Sequence, residues 1–228
     1  MRWIVLLAAC TPLPPPPVLP THAFAMPDDR GTTTAMVVVG IAEQPLGGGG
    51  FGMALRVEHQ QTDRTTLGIE LTGGVQDGKV AYADGSLHKV TLLGLRGYGR
   101  WAGTDNLGVA YGVGLTLLNT GALIGQIHGG GLVGADNGTV GTVAQVALAL
   151  SIPILRGTLY GAQPLSFNRG APETPTLTPL RTDLWASFDV AGLAALGDHE
   201  RVAIDAAIAL PLVGDDALVG LSFANAVH

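Results

Sequence analysis

The chain predicts an all-β fold, an antiparallel up-and-down β-barrel of about ten strands (range 8-10) with a transmembrane character, and three observations carry that expectation. From residue 33 onward, large apolar residues alternate with small or polar ones at period two, the spacing that sends them to opposite faces of a strand. Gly, Asp and Asn punctuate the alternating runs at short intervals, as tight turns require. Composition is the third. Of 228 residues, 34 are Gly, 47% are hydrophobic and only 13% are charged, with a mean hydropathy of +0.37, whereas soluble domains carry about 25% charged residues.

Taken in order, residues 33–43 (TTAMVVVGIAE) form the first run. In 51–60, Phe51, Met53, Leu55 and Val57 share one face and Gly52, Ala54, Arg56 and Glu58 the other. In 65–73, Leu67, Ile69 and Leu71 oppose Gly68, Glu70 and Thr72, and in 88–101 Leu93 and Leu95 oppose Gly94, Arg96, Tyr98 and Arg100. The cleanest alternation is 106–118, where Leu107, Val109, Tyr111, Val113, Leu115 and Leu117 are separated by Gly108, Ala110, Gly112, Gly114 and Thr116. Runs 121–134, 139–154, 182–195, 200–213 and 216–226 complete the set. Each is about the 9 to 11 residues that a tilted strand needs to cross a membrane. Residues 139–152 and 186–210 are Ala-rich enough to compete as helices. Their Val and Ile content and the interruptions Gly141, Gly192 and Gly197 favour strands.

The connections alternate in length. Short polar turns containing Thr62-Asp63, Gly103-Thr104-Asp105, Asp136-Asn137-Gly138 and Gly197-Asp198-His199 follow even-numbered runs. Longer pieces, Gln44 to Gly50, Gly74 to Leu87 and the Pro-containing 155–181, follow the first, third and seventh. An even number of strands then leaves both chain ends on the short-turn side, the asymmetry seen in outer-membrane barrels.

The N-terminus is organised differently. An apolar stretch leads to Leu7-Ala8-Ala9-Cys10, which resembles the lipobox of bacterial lipoprotein signals. That resemblance implies cleavage before Cys10, diacylation of the cysteine and delivery to the outer membrane, since Thr11 stands where inner-membrane lipoproteins carry Asp. Residues 1–9 are then a signal peptide, 10–32 a Pro-rich tether and 33–228 the barrel domain. Ala23-Phe24-Ala25 offers an ordinary secretory cleavage site as the competing reading. The chain end DALVGLSFANAVH places Phe223 three residues after Gly220 and resembles part of the assembly signal of small outer-membrane β-barrels, without a terminal aromatic. Phe51, Trp101, Tyr111, Trp185 and Phe223 supply a sparse aromatic girdle.

The face opposite the large apolar residues is mostly Gly, Ala, Ser and Thr. It is a poor water-facing coat and a suitable lining for a narrow lumen. The lumen-lining candidates are Arg56, Glu58, Glu70, Arg96, Tyr98, Arg100, Gln126, His128, Gln145, Asp189 and Asp205. Both charge signs are present, so the expectation is a paired network that plugs the interior; the functional competitor is an Arg56, Arg96 and Arg100 constriction that conducts small anions or gates.

Chemistry beyond this is thin. Cys10 is the only cysteine, which excludes an intrachain disulfide. Gly129 to Gly134 matches G-x-G-x-x-G formally, but residue 154 is Ile and Asp136-Asn137-Gly138 makes a turn where a helix is needed. The glycine run 47–50 reads as a loop. Asp84, Ser86 and His88 lie near one another in the loop entering the fourth run, but a triad needs spatial rather than sequential proximity, and polar loops hold such residues by chance. No cofactor, no metal ligation and no catalysis are expected. A net charge of -6 argues against nucleic acid. The expected partners are outer-membrane lipid and a surface ligand at 155–181. The sequence thus points to a non-enzymatic cell-envelope barrel with a structural, surface-binding or narrow-pore role. The alternative is a periplasmic or surface lipoprotein whose soluble β-sandwich or lipocalin-like barrel binds an apolar ligand.

Overall fold

Alternating side chains become alternating walls. A computed structural model describes residues 31–43, 49–78, 88–118, 122–137, 139–156, 183–211 and 218–227. These form ten strands: β1 Thr33–Glu43, β2 Gly49–Thr62, β3 Thr65–Gly78, β4 His88–Ala102, β5 Leu107–Leu118, β6 Ala122–Asp136, β7 Val140–Arg156, β8 Asp183–Ala195, β9 Glu200–Pro211 and β10 Leu218–Val227. Each strand pairs antiparallel with its neighbours in sequence, and β10 returns to pair with β1, so the sheet closes and leaves no edge.

The ladder register gives the geometry of closure. From Val38, partners lead one way through Ala54, Thr72, Gly94 and Thr116 to Ile124. The other way they lead through Ala224, Ala203, Leu193 and Gly141 to Asp136. The two arrivals on β6 lie twelve residues apart, from 124 to 136. A shear of twelve over ten strands tilts the strands about 40° from the barrel axis, within the usual range for closed barrels.

The Ala-rich stretches that competed as helices are β7, β8 and β9. Tertiary pairing outweighs their local preference, because every backbone group finds a ladder partner in a closed sheet. Boundaries shift in places: β2 begins at Gly49, inside the glycine run read as a loop, because Gly49 and Gly50 pair with Glu43 and Ala42. β3 likewise runs on to Gly78, through Gly74 and Gln76, where alternation gives no signal but the ladder with β4 continues.

Turns at one rim are short and held by side chains. Asp63 and Arg64 link β2 to β3. Between β4 and β5, Thr104 Oγ1 accepts from the N–H groups of Asn106 (3.3 Å) and Leu107 (3.1 Å). Between β6 and β7, Asn137 Oδ1 accepts from Thr139 (3.0 Å) and Val140 (2.9 Å), an Asx-type turn. At this rim the described chain also begins, at Gly31 with φ +91°, and ends, at Val227. Residues 44–48, 79–87, 119–121, 157–182 and 212–217 lie outside the described residues. So do Cys10, most of the tether, Asp84, Ser86 and most of 155–181.

The outward wall is apolar and uncovered. Ile69 is 62% exposed, Val113 60% and Ile204 66%, and the same face carries Leu55, Leu95, Leu115, Val146, Phe188 and Leu221. Of the expected girdle, Phe51 and Trp101 stand near opposite ends of their strands. Tyr111 and Phe223 fall in mid-strand instead. Tyr111 is placed there by packing: its ring covers Gly99 on the neighbouring strand, where a Cβ would lie 2.6 Å from the ring.

Candidate functional site: the barrel interior

Period-two alternation aims Arg56 and Glu58 of β2, Glu70 of β3 and Arg96, Tyr98 and Arg100 of β4 into the barrel, where ladder pairing brings them side by side. Arg56 is the register partner of Glu70, and Glu70 of Arg96. Arg56 Nε donates to Glu70 Oε2 and Arg96 Nη2 to Glu70 Oε1, so one carboxylate joins two guanidinium groups. Thr72 Oγ1 adds a third donor to it at 3.0 Å. One row nearer the turns, Glu58 receives Arg100 Nη2 on one oxygen and the Tyr98 hydroxyl, at 2.6 Å, on the other. The Arg56 guanidinium carbon lies 6.0 Å from the Tyr98 ring centroid, at the outer limit of a cation–π contact. Thr66 Oγ1 donates to Gln60 Oε1 at 2.6 Å and extends the row to the turn side.

These groups are withdrawn from water. The side chains of Arg56 and Glu70 are 0% and 2% exposed, and Arg96 alone among the three arginines keeps appreciable exposure, 14%. Buried charge is tolerated when paired and further hydrogen-bonded, and removing one partner is what becomes costly.

Glycines make room for the bulky members. Gly68 pairs with Tyr98, and a Cβ at residue 68 would sit 2.5 Å from Tyr98 Cζ. Gly112 pairs with His128, whose ring fills the space that a residue-112 side chain would need. His128 Nε2 has no hydrogen-bond partner among the described residues. Gln126 Nε2 reaches Ser151 Oγ at 3.2 Å.

The tilt places the remaining candidates. With a shear of twelve over ten strands, a level plane through the barrel shifts about one residue per strand. At the level of Glu70 it meets Gln145 on β7, Asp189 on β8 and Asp205 on β9, on the far wall. All three are buried. On the turn side of that plane, Met36, Val38, Leu132, Val143 and Leu193 pack with alanines into an apolar cluster. The inner wall thus carries ion pairs along β2 to β4, buried Gln145, Asp189 and Asp205 facing them, and an apolar cluster on the turn side. Sequence reasoning overlooked two features: this apolar cluster, and the Arg201–Asp136 pair (3.1 Å) near the turn rim. Alternation marks each of these residues as inward but carries no sign of how they meet.

Among the described residues no group of three or more His, Cys, Asp or Glu is placed to hold a metal ion, and both oxygens of Glu58 and of Glu70 accept hydrogen bonds. Gly129 to Gly134 lies within β6, as a strand.

No protein-family model matches the chain, and no curated protein is similar to it in sequence. Among solved structures the chain is similar to the translocator domain of autotransporter NalP from Neisseria meningitidis. That likeness has a TM-score of 0.52 at 10% identity and covers 100% of this chain and 95% of that one. The transport unit of the autotransporter AIDA-I from Escherichia coli aligns at a TM-score of 0.38 and 11% identity, covering 91% of this chain and 95% of that one. At 10% identity the likeness to the NalP translocator domain is one of fold, a closed antiparallel barrel.

Proposed function

We propose that this chain is a bacterial outer-membrane β-barrel with a structural and surface-presenting role, its lumen held shut by its own side chains. The observation that carries the reading is the outer wall. Large apolar residues stand exposed on all ten strands of a closed sheet, far more than the few hundred Å² that a soluble monomer tolerates, while charge is gathered inside. A soluble lipocalin-like barrel has the reverse polarity, with an apolar pocket within. The filled interior supports a closed barrel over a conducting one, since wide aqueous channels belong to barrels of roughly 16 to 18 strands.

The Leu7-Ala8-Ala9-Cys10 pattern supports an acylated anchor, and the described chain begins at the rim that an anchor on the periplasmic side requires. Contact with a surface ligand is proposed for 155–181, most of which lies outside the described residues.

Refolding into lipid vesicles tests the reading. A membrane barrel migrates faster unheated than boiled in a detergent gel. A chain lacking residues 1–25 that stays folded and monomeric without detergent contradicts it. Planar bilayers are expected to show no steady conductance, and regular single-channel steps would establish the narrow pore instead. Cys10→Ala is expected to lower the mature mass by the acyl groups and to release the tether, and an unchanged mass removes the lipoprotein assignment.

A further inference from the structure

A part-enclosed cavity opens at the turn rim between Arg64, Thr66, Arg100 and Asn106, over a floor that includes Leu132 and Val143. We propose that it is an oxyanion site, taking a phosphate or carboxylate group.

Two of its lining side chains are held in place by their backbones and left uncommitted at their tips. Arg64 donates its N–H to Thr62 Oγ1 (3.3 Å), and its carbonyl accepts from Ala102 N–H (2.8 Å). Asn106 donates its N–H to Thr104 Oγ1, and its carbonyl accepts from Gly134 N–H (3.0 Å). Neither the Arg64 guanidinium nor the Asn106 amide has a hydrogen bond or ion pair among the described residues. Deeper in, Arg100 is fixed by Glu58. Every charged group lining the cavity is thus a guanidinium. The turn carboxylates Asp63 and Asp105 sit on the same two turns but do not line it. A guanidinium offers a planar fork matched to two oxygens of an oxyanion, and the apolar floor keeps that attraction from being fully screened. The enclosed part is small, so it admits one or two oxygens and leaves the rest of the ligand in solvent.

Phosphate could reach this mouth from two sources. One is a phospholipid headgroup of the adjacent leaflet, beside the exposed Trp101 indole; the other is a soluble anion. The full chain, refolded in phosphate-free detergent, is titrated with inorganic phosphate by calorimetry. In parallel it is placed in bilayers of phosphatidylglycerol or of a phosphate-free glycolipid, and retained lipid is read by native mass spectrometry. Saturable phosphate binding that weakens about tenfold or more in Arg64→Ala identifies a soluble anion. Retention of phosphatidylglycerol alone, lost in Arg64→Ala, identifies the headgroup. Arg64→Lys is expected to fall between, since it keeps the charge and loses the fork. Binding in neither arm, or binding indifferent to Arg64→Ala while the gel shift shows a folded barrel, overturns the site.

Discussion

Glu70 accepts hydrogen bonds from Arg56, Arg96 and Thr72 while almost wholly removed from solvent. Converting it to Gln keeps the volume and takes the charge away from two guanidinium groups at once. Glu70→Gln is expected to lower the unfolding free energy of the vesicle-embedded barrel by about 3 to 5 kcal/mol, read from urea midpoints; a loss below about 1 kcal/mol would mean that the trio does not stabilise the wall. Gly68 offers a steric counterpart. Its replacement by Val drives a branched side chain into the Tyr98 ring, displaces the hydroxyl from Glu58, and should cost about 1 to 3 kcal/mol. At this scale the sequence was informative about direction and silent about partners. Arg56, Glu58, Glu70, Arg96, Tyr98 and Arg100 announce themselves as inward by alternation alone. That Glu70 joins Arg56 to Arg96, while Glu58 takes Arg100 and Tyr98, depends on a register that no single strand encodes.

Strand β5 shows what an element encodes. Its outward residues Leu107 to Leu117 are exposed, and Ala110, Gly112 and Thr116 between them are buried. Arginine at Val113 then faces hydrocarbon near mid-wall and is expected to cost about 2 to 4 kcal/mol in vesicles, with a smaller penalty at Leu107 nearer the rim. Equal penalties at the two positions would contradict a hydrocarbon belt. Elements were legible because each is a period-two run bounded by turn residues. Their ends were less so: alternation fades at Gly49-Gly50 and past Gly74, while ladder hydrogen bonds continue. The mid-strand position of Tyr111 was legible from its run, but its packing on Gly99 was not, because that glycine belongs to β4.

For the molecule as a whole, closure and strand count follow from the number of runs and the absence of a protected edge, but the shear of twelve does not. It is the sum of every pairwise register, and it alone brings Asp189 and Asp205 to the level of Glu70 across the barrel. The apolar cluster of Met36, Leu132, Val143 and Leu193 is likewise a product of closure, joining residues from four strands. With the apolar cluster and the charged groups both occupying the lumen, Arg96→Ala alone is expected to leave planar bilayers silent. Adding Leu132→Gly and Leu193→Gly should allow small ions through, and a conducting Arg96→Ala single variant would place the only barrier at the charged layer. In the proposed membrane barrel the outer wall faces hydrocarbon and the inner wall faces packed protein. That arrangement is tested most directly by nitroxide labels placed singly from 107 to 117 in vesicle-embedded protein, with collision rates measured for molecular oxygen and for a water-soluble nickel chelate. High oxygen and low nickel collision rates are expected at 107, 109, 111, 113, 115 and 117, and low rates for both at the positions between. Nickel reaching the odd-numbered set would contradict it.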